Sequence, residues 1–432
     1  LLANMVWTLP QYSLCYAVAE QNLLPGLFQE NGALAAYPDA GPWIVSLAIL
    51  VLCTFVTWSY GSGSRGIAIY EFILKLVVAI IVLSFVGVVV RMAWTGDGIV
   101  WSNVGAGLIP RWSQLMKPTP SWDALLAGVT SEPAREYWSS LIVSQQRDVM
   151  LSAGAAAVGI NMTFLMPYML LARGWDRDFR SLTIFDLCTG MFIPFVVATG
   201  CIVVASAQQF HTKIPPGFEI TSTDVVPPER LAAAFNQQIA LRNEKLGGAS
   251  APPISKAEKT VIAALVRRDT QDLAQSLQAL FGQDGDATGA WFANVVFGMG
   301  VAGMTLSSIS LMMLISGLAV CEIAGVPPRG WLFRIGCMIS ATGVLWPLVW
   351  TAESKAYLTI PAGVIGAMLL PIAYITFFLM MNNPNIMGGD MPRGSRRWMW
   401  NVLMGIAAVA ATAAGVSAII KKTSEAIQFF SG

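Results

Sequence analysis

A single histidine, His211, stands among 432 residues. General acid–base catalysis and histidine-rich metal centres therefore lack their usual group. No His-Glu-x-x-His, Gly-x-Gly-Asp or Gly-x-Ser-Gly run occurs, so neither an enzyme nor a resident cofactor is expected. Charge is scarce too. Asp, Glu, Lys and Arg make up 12% of the chain against 55% hydrophobic residues, with a mean hydropathy of +0.61. Soluble domains run near a quarter charged, so a water-soluble globule is excluded. A net charge of +1 offers nothing to nucleic acid. The six cysteines (Cys15, Cys53, Cys188, Cys201, Cys321, Cys337) form no Cys-x-x-Cys pair and lie in or beside apolar runs. They read as small buried hydrophobes, with neither a zinc site nor a disulfide framework.

What the chain has is long apolar runs. A bilayer crossing needs about 20 such residues, and runs of that order recur near 2–27, 42–60, 67–93, 150–172, 183–206, 292–320, 331–351, 357–381 and 398–420. Without period-2 alternation they read as nine helices and exclude an outer-membrane barrel. The chain opens at Leu1, without a methionine and already inside an apolar run, so a preceding stretch is expected. Positive charge alternates between short loops. Arg65, the group Arg173, Arg177 and Arg180, the pair Arg329 and Arg334, and the group Arg393, Arg396 and Arg397 mark every second loop, whereas QENGALAAYPDAG has neither Lys nor Arg. The basic side is cytoplasmic by this pattern, with Lys421 and Lys422 as exceptions. The expected location is a bacterial inner membrane.

Two long loops fall on the outer side. One, 101–148, is rich in Trp, Pro and charge. The other, 207–291, holds PPERLAAAFNQQIALRNEKL and SKAEKTVIAALVRRDTQDLAQSLQALF, with Val261, Leu265, Leu273, Leu277 and Leu280 near helical spacing. A helical cap and a tolerated insertion are equal readings of the second loop. The division expected is a bundle over 1–206, a cap over 207–291, a second bundle segment over 292–420 and a short tail over 421–432.

Polar side chains inside spans are costly and face a bundle interior or cavity. Glu20, Gln21 and Asn22 lie near an outer helix end, and Glu71 and Lys75 are spaced to pair. Asp186 reads as a helix-start charge. The stretch GINMTFLMPYMLLARGW, Gly159–Trp175, is different. Asn161 and Thr163 lie near mid-span, and Pro167 removes the hydrogen bond to the Thr163 carbonyl. Transporters expose backbone carbonyls to cations at such interruptions, and Met162 and Met166 add soft sulfur ligands. A packed proline kink explains the local pattern equally well. Pro361 and Pro371 allow a second broken helix.

The order of these features resembles the Nramp (natural resistance-associated macrophage protein) family of divalent-metal transporters. Its sixth helix carries Ala-x-x-Met-Pro-His, and Thr163-Phe-Leu-Met166-Pro167-Tyr168 stands in that position, followed by ARGWDRDFRS and Asp186. SYGSGSRGIAIYEFILKLVVAIIVLSF resembles the family's fourth-to-fifth helix passage, and AGVIGAMLLPIAYITFFLMMNNPNIMGG its tenth helix and following loop. The resemblance implies an all-α membrane bundle of the five-plus-five inverted-repeat type, helices three to eleven, with an outer helical insertion. The first helix, with its Asp-Pro-Gly-Asn ligands, would precede Leu1. Metal ligands carried over are the Thr163 carbonyl and the Met166 sulfur, with Asn161 beside them. Pro167, Tyr168 and Met162 would line the pathway or gate it. A register with Met162 as ligand puts Gly159 at the alanine position and loses the proline, so the Met166 register is preferred.

Departures from the family narrow the reading. Tyr168 replaces a histidine tied to proton handling, and a tyrosine of pKa about 10 is a poor proton carrier at neutral pH. Pro10 and Ser13 stand where the third helix has acids, and Leu369 where the tenth has a glutamine. The expectation is alternating-access transport of a divalent cation, Mn/Fe-like or Mg, with weak or absent proton coupling. The cation and the lipid bilayer are the partners expected. An amino-acid or other solute transporter on the same fold, or a non-transporting receptor or scaffold, are the alternatives.

Overall fold

The computed structural model describes residues 1–29, 32–59, 65–95, 99–109, 111–157, 159–172, 174–281, 287–350 and 355–431. The chain is helical almost throughout. The helices used below are α1 (Leu2–Val18), α2 (Ala40–Trp58), α3 (Arg65–Thr95), α4 (Glu132–Ala157), α5 (Ile160–Ala172), α6 (Ile193–Phe210), α7 (Glu229–Lys245), α8 (Lys256–Leu265), α9 (Thr270–Phe281), α10 (Ala287–Ile323), α11 (Gly330–Ile339), α12 (Thr359–Met381) and α13 (Gly394–Ser431). One two-residue hairpin pairs Glu219 with Val226 and Ile220 with Val225.

Six helical segments among the described residues are long and apolar enough to cross a membrane. They are Ala40–Trp58, Arg180–Gln208, Ala287–Ile323, Gly330–Val349, Lys355–Met381 and Gly394–Ile420. The other three expected spans are helical as well, and two of them are interrupted. The 2–27 run ends as α1 at Val18, continues as a π-helical turn over Ala19–Leu23 and finishes in the short helix Pro25–Phe28. The 67–93 run lies within α3, where the Glu71 side chain falls outside the described ones. The 150–172 run is two helices, α4 and α5.

Two bundle cores flank α1. On one side Tyr12, Cys15 and Tyr16 pack with Ile49 and Cys53 of α2, Ile309 and Met313 of α10, and Phe333 and Cys337 of α11. On the other, Ala3 and Trp7 pack with Ala155 of α4, Met312 of α10 and Ala367 and Leu370 of α12. Gly366 makes this second contact possible, since a Cβ there would come within 2.8 Å of the Trp7 indole nitrogen.

The two outer loops form one body. Trp122, Leu126, Val129, Trp138 and Ile142 share a buried core with Val225, Leu231, Phe235, Val261, Ile262 and Ala263. At its centre Arg242 and Glu258 are both fully buried. Arg242 Nε donates to Glu258 Oε1 at 2.9 Å and Nη2 to Oε2 at 3.2 Å, while Nη1 reaches the Pro252 carbonyl at 2.6 Å. Glu258 also accepts from Trp138 Nε1 at 3.2 Å and from the Ser255 backbone at 3.0 Å. Ser255 and Glu258 thus close a capping box at the start of α8. A buried pair with its hydrogen bonds made fixes the arrangement of the elements around it.

The second amphipathic stretch splits at residues 266–269. Val261 and Leu265 face the cap core, whereas Leu273 and Leu277 of α9 pack on Phe85 and Val88 of α3 and Ala293 and Phe297 of α10. The Leu280 side chain lies outside the described ones. The junction is tied to the π-turn after α1. Gln21 Nε2 donates to Asp269 Oδ2 at 2.8 Å, and Thr270 Oγ1 donates to Gln21 Oε1 at 2.7 Å. Asn22 Nδ2 reaches Asn294 of α10 at 2.7 Å, and Lys355 pairs with Glu20 at 2.5 Å. Burial holds the Asp269 carboxyl above its usual range.

Two measurements check the cap. Glu258→Ala leaves Arg242 buried without its counter-ion, which costs about 3–5 kcal/mol; hydrogen exchange over 229–266 is expected to accelerate while exchange in α10 stays unchanged. His211, just past α6, lies 2.7 Å from Ser121 Oγ and edge-on to Trp122, and burial pushes its pKa below 6.5. The unfolded chain then takes up a proton that the folded one refuses. Cap stability is therefore full above pH 6.5 and falls as pH drops from there to the depressed value; in His211→Gln that acid-side slope should vanish from thermal melts.

Candidate cation site at an interrupted helix

The break between α4 and α5 sits at Gly159, not at the proline. α4 ends at Ala157, α5 starts at Ile160, and Pro167 lies inside α5. The Gly159 carbonyl accepts both the Thr163 backbone N–H at 3.2 Å and Thr163 Oγ1 at 3.1 Å. A Cβ on Gly159 would fall 2.6 Å from Asn161 Oδ1, so the Asn161 amide folds back over the turn and occupies the space a side chain would need. The last carbonyls of α4 have no helical donor. Pro167 leaves the Thr163 carbonyl without one as well. The Pro167 ring faces outward, so it fits inside the helix with one bond lost.

The six residues singled out in this stretch divide by helix face. Asn161 and Leu165 are buried and Tyr168 is half-buried, one turn apart along a single stripe. At about 100° per residue Thr163 lies some 200° from Asn161, while Met166 lies only about 60° from Thr163. Side chains on a helix lean toward its N-terminus, so half-buried Met166 leans over the turn that carries the Thr163 carbonyl. Thr163 and Met166 therefore belong to one flank. Asn161 belongs to the other, beside the break, and the structure does not bring it onto the flank of Met166. The Met162 side chain lies outside the described ones.

The lining near the break is neutral. Trp7, Ala155, Met312 and Leu370 are apolar, and Leu369, at the expected glutamine position, is packed in the same cluster. Polar groups nearby are amides and hydroxyls. Asn4 of α1 donates to Ser316 Oγ at 2.8 Å and to the Met312 carbonyl at 3.3 Å, and Ser316 in turn contacts Ser340. Ser152 of α4 donates to the Thr359 carbonyl at 3.4 Å. Asn4 Oδ1 and the Tyr12 hydroxyl are buried with no hydrogen-bond partner among the described residues. No group of three or more His, Cys, Asp or Glu among the described residues is placed to hold a metal. A cation at α5 would rest on carbonyl, amide and thioether groups.

Glu322 was not visible as a site residue from sequence. Tyr168 near the end of α5 lies beside the Glu322 carboxylate on the last turn of α10. The cue was slight: Glu322 is an acid at a span end, and such acids usually face water.

Residues 254–421 match the sequence model of the Nramp family, described as natural resistance-associated macrophage protein-like. Over this stretch the chain is similar to that family. The matched segment starts in the cap just before α8 and includes α8–α12 and most of α13; α1 and α5 lie outside it. No curated protein matches the chain. The family implies transport of divalent metal cations and not enzymatic turnover.

Gly159 provides the test of that geometry. Gly159→Ala is expected to reduce metal uptake in proteoliposomes at least about tenfold, because the added Cβ must displace the Asn161 amide. Asn161→Ala removes the obstacle, so the double substitution should recover most of what Gly159→Ala loses. Equal losses in the single and double variants would detach Asn161 from the break.

Proposed function

We propose that the chain carries divalent metal cations across the membrane by alternating access, with α5 supplying part of the site and with little or no proton coupling. The observation that carries this reading is the interruption at Gly159, followed within one turn by a carbonyl that lacks its donor and a methionine sulfur on the same flank. Carbonyl oxygen and thioether together hold a dehydrated cation without a formal charge. A thioether favours softer ions such as Mn²⁺ or Fe²⁺ over Mg²⁺.

The uncoupled half of the proposal rests on what lines α1 and α5. Asn4, Thr8 and Ser13 are the buried polar residues of α1, and none of them changes charge near neutral pH. Tyr168, a poor proton carrier at neutral pH, lies beside Glu322 in place of a proton-carrying imidazole. The Thr163 carbonyl and the Met166 thioether have no proton to exchange for metal.

Proteoliposomes loaded with a pH reporter test both halves. Mn²⁺ uptake without stoichiometric acidification is expected. Met166→Ala should lower Mn²⁺ uptake about tenfold and Mg²⁺ uptake much less, since only the soft ion gains from sulfur. One proton taken up per metal ion would overturn the uncoupled reading, and equal losses for both ions would remove Met166 from the ligand set.

A further inference from the structure

Residues 99–119 belong to none of the hydrophobic cores. Their described residues place large apolar side chains on the surface. Trp94 on the last turn of α3 is 84% exposed, and Leu108, Trp112 and Met116 are each about 80% exposed. Trp101 and Ile109 are exposed between them. A run of this kind, continuous with a membrane helix and weighted toward tryptophan, suits the boundary between hydrocarbon and headgroups.

The loop is held in place from α4. Gln146 accepts from the Thr119 N–H at 2.9 Å and donates to the carbonyls of Gln114 at 3.2 Å and Lys117 at 3.1 Å. Arg147 Nε donates to the Leu115 carbonyl at 2.5 Å. These contacts lie about 13 Å along α4 from Ala155 in the bundle core. Against this loop lies a cavity of about 490 Å³ whose polar lining is Arg111, Ser113, Gln114, Lys117, Ser139 and Asp123. Two cations face one carboxylate there, with hydroxyl and amide donors between them. That set matches a group rich in acceptors and carrying one negative charge.

We propose that this cavity receives the headgroup phosphate of an anionic phospholipid in the cap-side leaflet, with the strip Trp94–Met116 resting among its acyl chains. The adjoining apolar strip is what selects a lipid over free phosphate, since a soluble anion gains nothing from it. The net positive lining selects an anionic headgroup over a zwitterionic one. The lipid would fasten the loop, and through Gln146 and Arg147 the outer half of α4, to the membrane surface.

Native mass spectrometry of the full chain, delipidated in detergent and titrated with phosphatidylglycerol, phosphatidylcholine or glycerol phosphate, tests this. One tightly held phosphatidylglycerol is expected. Arg111→Ala with Lys117→Ala should weaken it about tenfold through loss of two charge-assisted contacts. Asp123→Asn should tighten it, a gain that misfolding does not imitate. Equal retention of phosphatidylcholine, displacement by glycerol phosphate at comparable concentration, or unchanged binding in the double variant would each overturn the proposal.

Discussion

Inside a bilayer every backbone N–H and C=O must find a partner within the protein, because no water is present to supply one. The rest of this structure depends on where that rule is relaxed. The chain obeys it along α10 and α13. α12 also runs unbroken, although Pro371 inside it withholds a donor from the Ala367 carbonyl. The second broken helix that Pro361 and Pro371 allow therefore does not form. It relaxes it between α4 and α5, where the helix is interrupted at Gly159 and Pro167 then withholds a donor from the Thr163 carbonyl. Carbonyls left without helical donors are strong acceptors for a cation or a water. The cost of leaving them unpaired is what gives a bound ion its advantage there.

The break also separates two mechanical units. α4 is a single helix of 26 residues, about 39 Å long. Its outer half carries Trp138 and Ile142 in the cap core, and its inner half carries Ala155 in the bundle core. The cap is thus built onto the helix that ends at the site. Its far side is tied by Gln21, Asn22 and the 266–270 junction to α1 and α10. α5, by contrast, has lighter ties: Asn161 and Leu165 inward, and Tyr168 to Glu322 at its end. Motion at the site is cheapest in α5, with α4 and the cap as the frame.

Much of the fold was legible because long apolar runs leave few alternatives, and each of the nine expected spans contains helix. The position of the break was harder to read. Pro167 is the obvious interruption, yet its outward ring costs only one hydrogen bond. Gly159 looks like an ordinary small residue until the Asn161 amide is seen folded over it. The union of the two outer loops was also out of reach, since Trp138 and Glu258 meet across 120 positions and nothing local announces them. The helical spacing from Val261 to Leu277 was read correctly as apolar but as continuous. Physically it serves two cores on either side of a turn. Within α5, Thr163 and Met166 share one flank, while Asn161 stands on the other beside the break.

The central claim is that the Gly159 turn is the hinge and that α4 moves with the cap. Electron–electron distance measurements between spin labels answer it in the reconstituted chain with and without Mn²⁺. One pair joins Ser140 on the outer half of α4 to Leu171 on α5; the other joins Ser140 to Leu241 on α7 of the cap. A shift of several ångströms in the first pair with the second unchanged is the predicted result. A fixed first distance, or cap movement against α4, would contradict it.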